Sequence, residues 1–183
     1  MIVLTLPESR QKRKKGSDRL YNMHVHPIAP VYNENSRVLI LGSFPSVKSR
    51  EMCFFYAHRQ NRFWKVMAEL FNLPTPETIE EKRKILLENG IALWDVIKSC
   101  NIVGSSDNTI RDVSVNDLGK ILCASHIRAI FVNGKTAEKY YNKYIRDIIG
   151  REAVYLPSTS AQNASYSLEM LVSGWKTVLK HLD

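Results

Sequence analysis

Hydrophobic and polar positions along the 183-residue chain follow two periods. Short apolar runs bounded by Gly or Pro read as buried strands: RVLILG at 37–42, IALWDVI at 91–97, IRAIFVNG at 127–134 and AVYLP at 153–157. Helical spacing fills the segments between them. At 61–73 it gathers Phe63, Trp64, Met67, Leu70 and Phe71 on one side. At 78–89, Thr78 with Glu81 three residues on has the form of a capping box, and Gly90 ends the segment. Segments 115–125, 135–149 and 165–182 complete the predicted helices. Strands alternating with helices predict a layered α/β fold with a mainly parallel sheet. Ligands of such sheets bind beyond the carboxyl ends of the strands. The loops after Gly42, Ile97, Val132 and Leu156 therefore hold the candidate chemistry.

Charge separates a tail from a domain. The formal net charge is +8, and half of it belongs to residues 1–19, where Arg10, Lys12, Arg13, Lys14, Lys15 and Arg19 face Glu8 and Asp18. We read 1–23 as a basic, mobile tail and 24–183 as one domain, with a monomer as the default. A basic balance favours a polyanion such as nucleic acid. Cys53, Cys100 and Cys123 are far apart with no CxxC spacing, which fits a reducing cytoplasm and argues against a disulfide framework, a structural zinc or an iron–sulfur cluster. No apolar run approaches the roughly 20 residues of a membrane helix. No cofactor is expected.

The first loop carries unusual composition for a connection: GSFPSVKSREMCFFYAHRQNRFW, 42–64. Gly42 suits a sharp turn and Pro45 stiffens it. Phe54 and Phe55 read as a plug over the following helix, whereas Tyr56 offers a flat face with a polar tip beside a polar loop, suited to stacking a nucleobase. The last loop, LPSTSAQNAS, is small and hydroxyl-rich, able to grip a phosphate or to cap the helix through Ser165. There is no GxSxG and no Walker sequence, and NGKT lacks the first Gly of a phosphate loop. His24 and His26 have alternating spacing but no acidic neighbour to complete a metal set. Of the acids near the loops, Asp95 is expected to be buried against a helix, and Asp107 to reach a ligand.

Taken together, GSFPS, YAHRQNRFWKV and LPSTSAQNA resemble the uracil-DNA glycosylase superfamily over roughly 25–180. The first segment is similar to the mismatch-specific enzymes, which read approximately G-I-N-P-G and then F-A-H-P-x-N-R-F-W-K-V. LPSTS, IALWDVI and the GSSD at 104–107 resemble the hypoxanthine-DNA glycosylase branch more closely. The resemblance implies a three-layer αβα fold around a central four-stranded mainly parallel sheet. It also implies base excision: a deaminated base, hypoxanthine or else uracil, is flipped from DNA and its N-glycosidic bond hydrolysed.

The site residues follow from that resemblance. Tyr56 stacks on the base. Gly42, Ser43, Phe44, Asn133 and Asp107 surround its polar edge, with backbone at Ser43 and Phe44 and the Asn133 amide reading it. Pro45, Ser46, Ser160, Ala161, Gln162 and Asn163 contact DNA, the last four pressing into the gap. One departure matters. Many superfamily members have Asp or Asn two residues after the motif Gly to orient water, and Phe44 stands there instead. Asn61 is the nearest amide for that task, with helix capping as its rival role, and His58 or Ser158 can donate to the leaving base. No metal enters the scheme, and no lysine but Lys135 lies in these motifs, so hydrolysis without strand cleavage is expected. Two alternatives stand beside it: a non-catalytic nucleic-acid-binding module of the same fold, and a uracil-preferring mismatch glycosylase.

Overall fold

The structure, a computed structural model, describes residues 22–182. The basic segment at 1–21 lies outside the described residues. Positions 22 and 23 of the expected tail belong to the first strand, β1 (Asn22–Val25). The further strands are β2 (Val38–Gly42), β3 (Ile91–Asp95), β4 (Ile97–Ile102), β5 (Arg111–Val115), β6 (Ala129–Asn133) and β7 (Ala153–Leu156). The helices are α1 (Val47–Glu51), α2 (Phe63–Phe71), α3 (Ile79–Glu88), α4 (Gly119–Ala124), α5 (Lys135–Tyr144), α6 (Arg146–Ile149) and α7 (Leu168–Trp175).

The central sheet has the order β3-β2-β6-β7, and every neighbouring pair is parallel. β2 lies inside it and is buried along its whole length. Its alternate side chains separate two cores. Val38 and Ile40 pack with Phe63, Met67, Leu86 and Trp175 from α2, α3 and α7. Leu39 and Leu41 pack with Ile121, Ala137 and Tyr141 from α4 and α5. Burial of each such aliphatic side chain contributes about 1.5–3 kcal/mol. Helices on both faces of one sheet make the expected three-layer αβα arrangement. Thr78 caps α3 in a reciprocal capping box with Glu81.

Four expectations change. IALWDVI is not one strand. The chain leaves the parallel sheet after Asp95 and enters an antiparallel sheet at Ile97, of order β1-β4-β5. Residues 98–112, read as loop, supply most of β4 and the start of β5. Their pairing is bulged, which blurs the period-two signal that would mark strands. Segment 115–125 is helical only from Gly119, because Val115 ends β5 and buried Asn116 bridges strand ends. The Asn116 Nδ2 donates to the carbonyls of Asp95 (2.9 Å) and Ile97 (3.2 Å). Finally, Ser167 rather than Ser165 caps α7, its hydroxyl accepting from the Met170 amide.

Candidate active site

Four parallel strands end at one rim, at Gly42, Asp95, Asn133 and Leu156. Gly42 is required there by close approach. A Cβ added to it would lie 2.1 Å from Asp95 Oδ1 and 2.9 Å from the Tyr56 hydroxyl, so the missing side chain makes room for both groups. The loop after Gly42 turns through Pro45, which is buried. Ser46 then caps α1 by accepting from the Ser49 amide. Phe54 and Phe55 are 2% exposed and belong to the core, the plug expected of them. Phe44 is also in a core, edge-on to the His26 ring, and has no polar atom to offer water.

Tyr56 adopts a left-handed backbone conformation, φ 51°. The partly exposed ring stacks on Phe63 with centroids 4.1 Å apart and planes 19° off parallel. Its hydroxyl accepts from Asn133 Nδ2 at 3.1 Å. Burial pushes the hydroxyl pKa up, and the negative charge of Asp95 adds to that, so Tyr56 stays an O–H group. Asn61 binds the backbone of the same Phe63. Its Oδ1 accepts from the Phe63 amide at 3.0 Å, satisfying the first free N–H of α2, whose N-cap position is Arg62. Phe63 thus ties the flat ring and the amide expected to work together. His58 stays exposed in the tight turn before Asn61.

The last loop is locked to the same rim. Asn133 Nδ2 donates to Thr159 Oγ1 at 3.0 Å, and the Thr159 amide donates to Asn133 Oδ1 at 3.1 Å. Both hydrogens and the oxygen of Asn133 therefore have partners inside the protein. It holds Tyr56 and the loop in place rather than presenting a free edge to a base. Gly134 (φ 94°) lets Ser158 approach, its absent Cβ falling 2.9 Å from Ser158 Cβ. Arg62 clamps the loop from beneath, donating to the carbonyls of Ser160 (2.8 Å), Asn163 (2.9 Å) and Tyr166. Ala161 and Gln162 are exposed at its tip, while Asn163 donates back to the Ser158 carbonyl.

The sequence reading missed this clamp. It rests on three charge-assisted bonds, each worth about 1.5–3 kcal/mol. Arg62→Ala is expected to raise amide hydrogen exchange across 158–166 and to lower the melting temperature, with Arg62→Lys failing to restore either. Unchanged exchange there would show that the loop holds itself.

A further pair was also missed. His26 lies against Asp95, Nε2 to Oδ2 at 2.8 Å, with side chains 2% and 5% exposed. The Ile28 amide donates to His26 Nδ1 at 3.2 Å. That fixes the tautomer: Nδ1 accepts, so Nε2 carries the hydrogen and donates to Asp95. No acidic residue near His26 in sequence was expected to complete a metal set, and the acid that His26 does meet lies 69 residues away. Asp95 is buried as expected, but against a histidine at the strand rim rather than against a helix. Asp107 is at the same rim, accepting from the Ser43 hydroxyl at 3.2 Å. Burial raises its pKa, opposed by hydrogen bonds from Thr136 and Ser43. Among the described residues no three His, Cys, Asp or Glu side chains are grouped to hold a metal ion, and no helix is long and apolar enough to cross a membrane.

With this geometry in view, comparison with known proteins decides the family. The family model of the uracil DNA glycosylase superfamily matches residues 29–179. The chain belongs to that superfamily. A hypoxanthine DNA glycosylase from Methanosarcina acetivorans is 34% identical over 153 residues, covering 82% of this chain and 95% of the relative. One from Methanosarcina barkeri is 31% identical with the same coverage. A solution NMR structure of a candidate uracil DNA glycosylase from Methanosarcina acetivorans superimposes with a TM-score of 0.74 at 32% identity, covering 88% of this chain and 99% of that one. The rim of Gly42, Tyr56 and Asn133 lies at the carboxyl ends of the parallel strands, where open α/β sheets bind ligands.

Proposed function

We propose that this superfamily member is a monofunctional DNA glycosylase that flips out a deaminated base, hypoxanthine first and uracil second, and hydrolyses its N-glycosidic bond to leave an abasic site. The observation that carries the reading is the unit Tyr56–Phe63–Asn61 at the strand rim, a half-buried tyrosine ring stacked on the residue whose backbone binds a side-chain amide. Two relatives named hypoxanthine DNA glycosylase support the choice of base.

The chemistry follows from what each group can do. Extruding a nucleotide costs a few kcal/mol, least at a mispair. Stacking the base on Tyr56 returns about 1–3 kcal/mol. Asn61 holds water near the anomeric carbon, the task Phe44 cannot perform. As the bond breaks, negative charge collects on the base and positive charge on the sugar. Donors aimed at the base lower that barrier, and His58 and Ser158 are the donors at hand. Ser160, Ala161, Gln162 and Asn163 fill the gap in the duplex, on a loop stiffened by Arg62 and Asn133. Lys135 is exposed at the start of α5, and no amine nucleophile is assigned, so the strand stays intact until alkali cuts it.

The test is a set of oligonucleotides holding hypoxanthine, uracil, xanthine or adenine, incubated with the protein and then treated with alkali. Alkali-dependent nicking at hypoxanthine, faster than at uracil, is expected. Binding without nicking at any lesion would support the non-catalytic module instead, a reading that rests on Phe44 at the water-holding position. Nicking at uracil alone would support the mismatch enzyme.

Stacking has its own signature. Tyr56→Ala is expected to slow excision about 5- to 160-fold, the kinetic equivalent of the stacking energy. Tyr56→Phe keeps the ring and loses only the acceptor for Asn133, so it is expected to slow excision less than about fivefold. Single-turnover rates on one deoxyinosine duplex check both. Equal losses would mean that the hydroxyl, not the ring face, is what the reaction needs.

A further inference from the structure

Two loops at the strand rim come from different sheets, and one side chain joins them. The loop after β2 leaves the parallel sheet, whereas the turn 103–107 follows β4 of the antiparallel sheet. Arg50, in the last turn of α1, donates from Nη1 to the Pro45 carbonyl at 2.8 Å and from Nη2 to the Gly104 carbonyl at 3.4 Å. Its guanidinium carbon also lies 5.6 Å from the centre of the Phe44 ring, within cation–π reach. Neighbouring ties run alongside. The Val47 amide donates to Ser105 Oγ at 2.9 Å, and the Ser43 hydroxyl to Asp107 Oδ2 at 3.2 Å. Glu51, next to Arg50 in sequence, pairs with Lys48 instead. The half-buried guanidinium is therefore spent on carbonyls rather than on a carboxylate.

We propose that Arg50 is a positioning residue for base release: it holds the Ser43–Phe44 peptide against the 103–107 turn, so that the loop does not yield when a nucleotide is flipped in. This rests on the glycosylase reading and names a residue through which the first loop acts. The amides of Ser43 and Phe44 follow the rim glycine directly and donate to no acceptor among the described residues. Donors of that kind lower a barrier only if they are already in place when charge develops on the leaving group. The Phe44 ring cannot fix them by itself, because apolar packing gives no directional bond to the turn. A planar fork of N–H groups can, since it grips two carbonyls at once. A lysine ammonium is a single point and cannot span both.

Positioning differs measurably from the other tasks an arginine here could have. A tie that only kept the chain folded would change the melting temperature and the active fraction. An arginine acting on DNA phosphates would change affinity and its salt dependence. A positioning residue changes the rate of the bound complex and leaves affinity alone.

The experiment is single-turnover excision from a deoxyinosine duplex, read as the maximal rate and the enzyme concentration at half-saturation, at a temperature where every variant is folded. Arg50→Met keeps an apolar stem over Phe44 and loses every donor. Its maximal rate is expected to fall about 10- to 100-fold, the range that misplacement by about 1 Å can cost. Half-saturation is expected to move less than about threefold. Arg50→Lys is expected to regain part of the rate, and amide exchange at 103–107 to quicken in Arg50→Met. Ser105→Ala reads the coupling: it is expected to slow the wild type more than it slows Arg50→Met, whose turn is already loose. A maximal rate of Arg50→Met within about twofold of the wild type, or a loss confined to half-saturation, overturns the proposal and leaves the glycosylase reading standing. So does a slow Arg50→Met with unchanged exchange at 103–107, or an equal effect of Ser105→Ala in both backgrounds. A wild type that releases no base from any lesion refutes both.

Discussion

Asn61→Ala is expected to slow hypoxanthine release by at least about 100-fold while the protein still binds DNA. Positioned proton-handling groups contribute about 10²–10⁴-fold to such reactions, and Phe44 leaves this chain without the superfamily's usual water holder. The structure adds a complication, because Asn61 Oδ1 also supports the start of α2 by accepting from the Phe63 amide. Loss of the cap alone costs about 1 kcal/mol, and a loosened Phe63 would disturb Tyr56 stacked upon it. Asn61→Ser separates the two roles. Serine is a good helix cap but withdraws its polar atom towards the backbone. Restored thermal stability with excision still lost would assign Asn61 to the reaction. Restored stability together with restored excision would make it a cap and nothing more.

Gly42→Ala is the second large effect. The new Cβ would sit 2.1 Å from Asp95 Oδ1, well inside van der Waals contact. Neither strand can yield easily. Gly42 and Asp95 are ladder neighbours, and the Val96 amide donates to the Gly42 carbonyl at 2.8 Å. The carboxylate must therefore turn, strain its bond to His26 and push on the Tyr56 hydroxyl. Overpacking of this kind costs about 1–3 kcal/mol, a fall of roughly 3–10 °C in melting temperature for a chain of this size. Excision is expected to fall further than stability explains, measured at a temperature where the variant remains folded. A variant that is stable and fully active would mean that the space above Gly42 is not part of the site.

Much of this was legible in the sequence, for identifiable reasons. Buried parallel strands are continuous apolar runs, so RVLILG and IRAIFVNG stood out, and the Thr78 capping box announced α3. Tyr56, Asn61 and the last loop were found because they lie in local motifs. What stayed hidden depends on contacts distant in sequence. The antiparallel sheet of β1, β4 and β5 has bulged pairing and mixed faces. His26 and Asp95 meet only because β3 ends beside the segment after β1. Asp95 carried one clue, a carboxylate closing an apolar strand at the rim where ligands bind, and His26 carried none. Arg62 reaches carbonyls about 100 positions on, a contact that no local pattern announces. Asn133 was visible as the polar end of β6, but only the structure reveals that its amide is engaged by Tyr56 and Thr159.

The central claim is that a base leaves the duplex and settles on Tyr56 at the strand rim. The most direct measurement is a crystal structure of the Asn61→Ala protein bound to a duplex with deoxyinosine opposite thymine. We expect hypoxanthine outside the helix, parallel to the Tyr56 ring, with the 160–163 loop in the gap. A base still stacked in the duplex, or lodged away from Tyr56, would contradict the account.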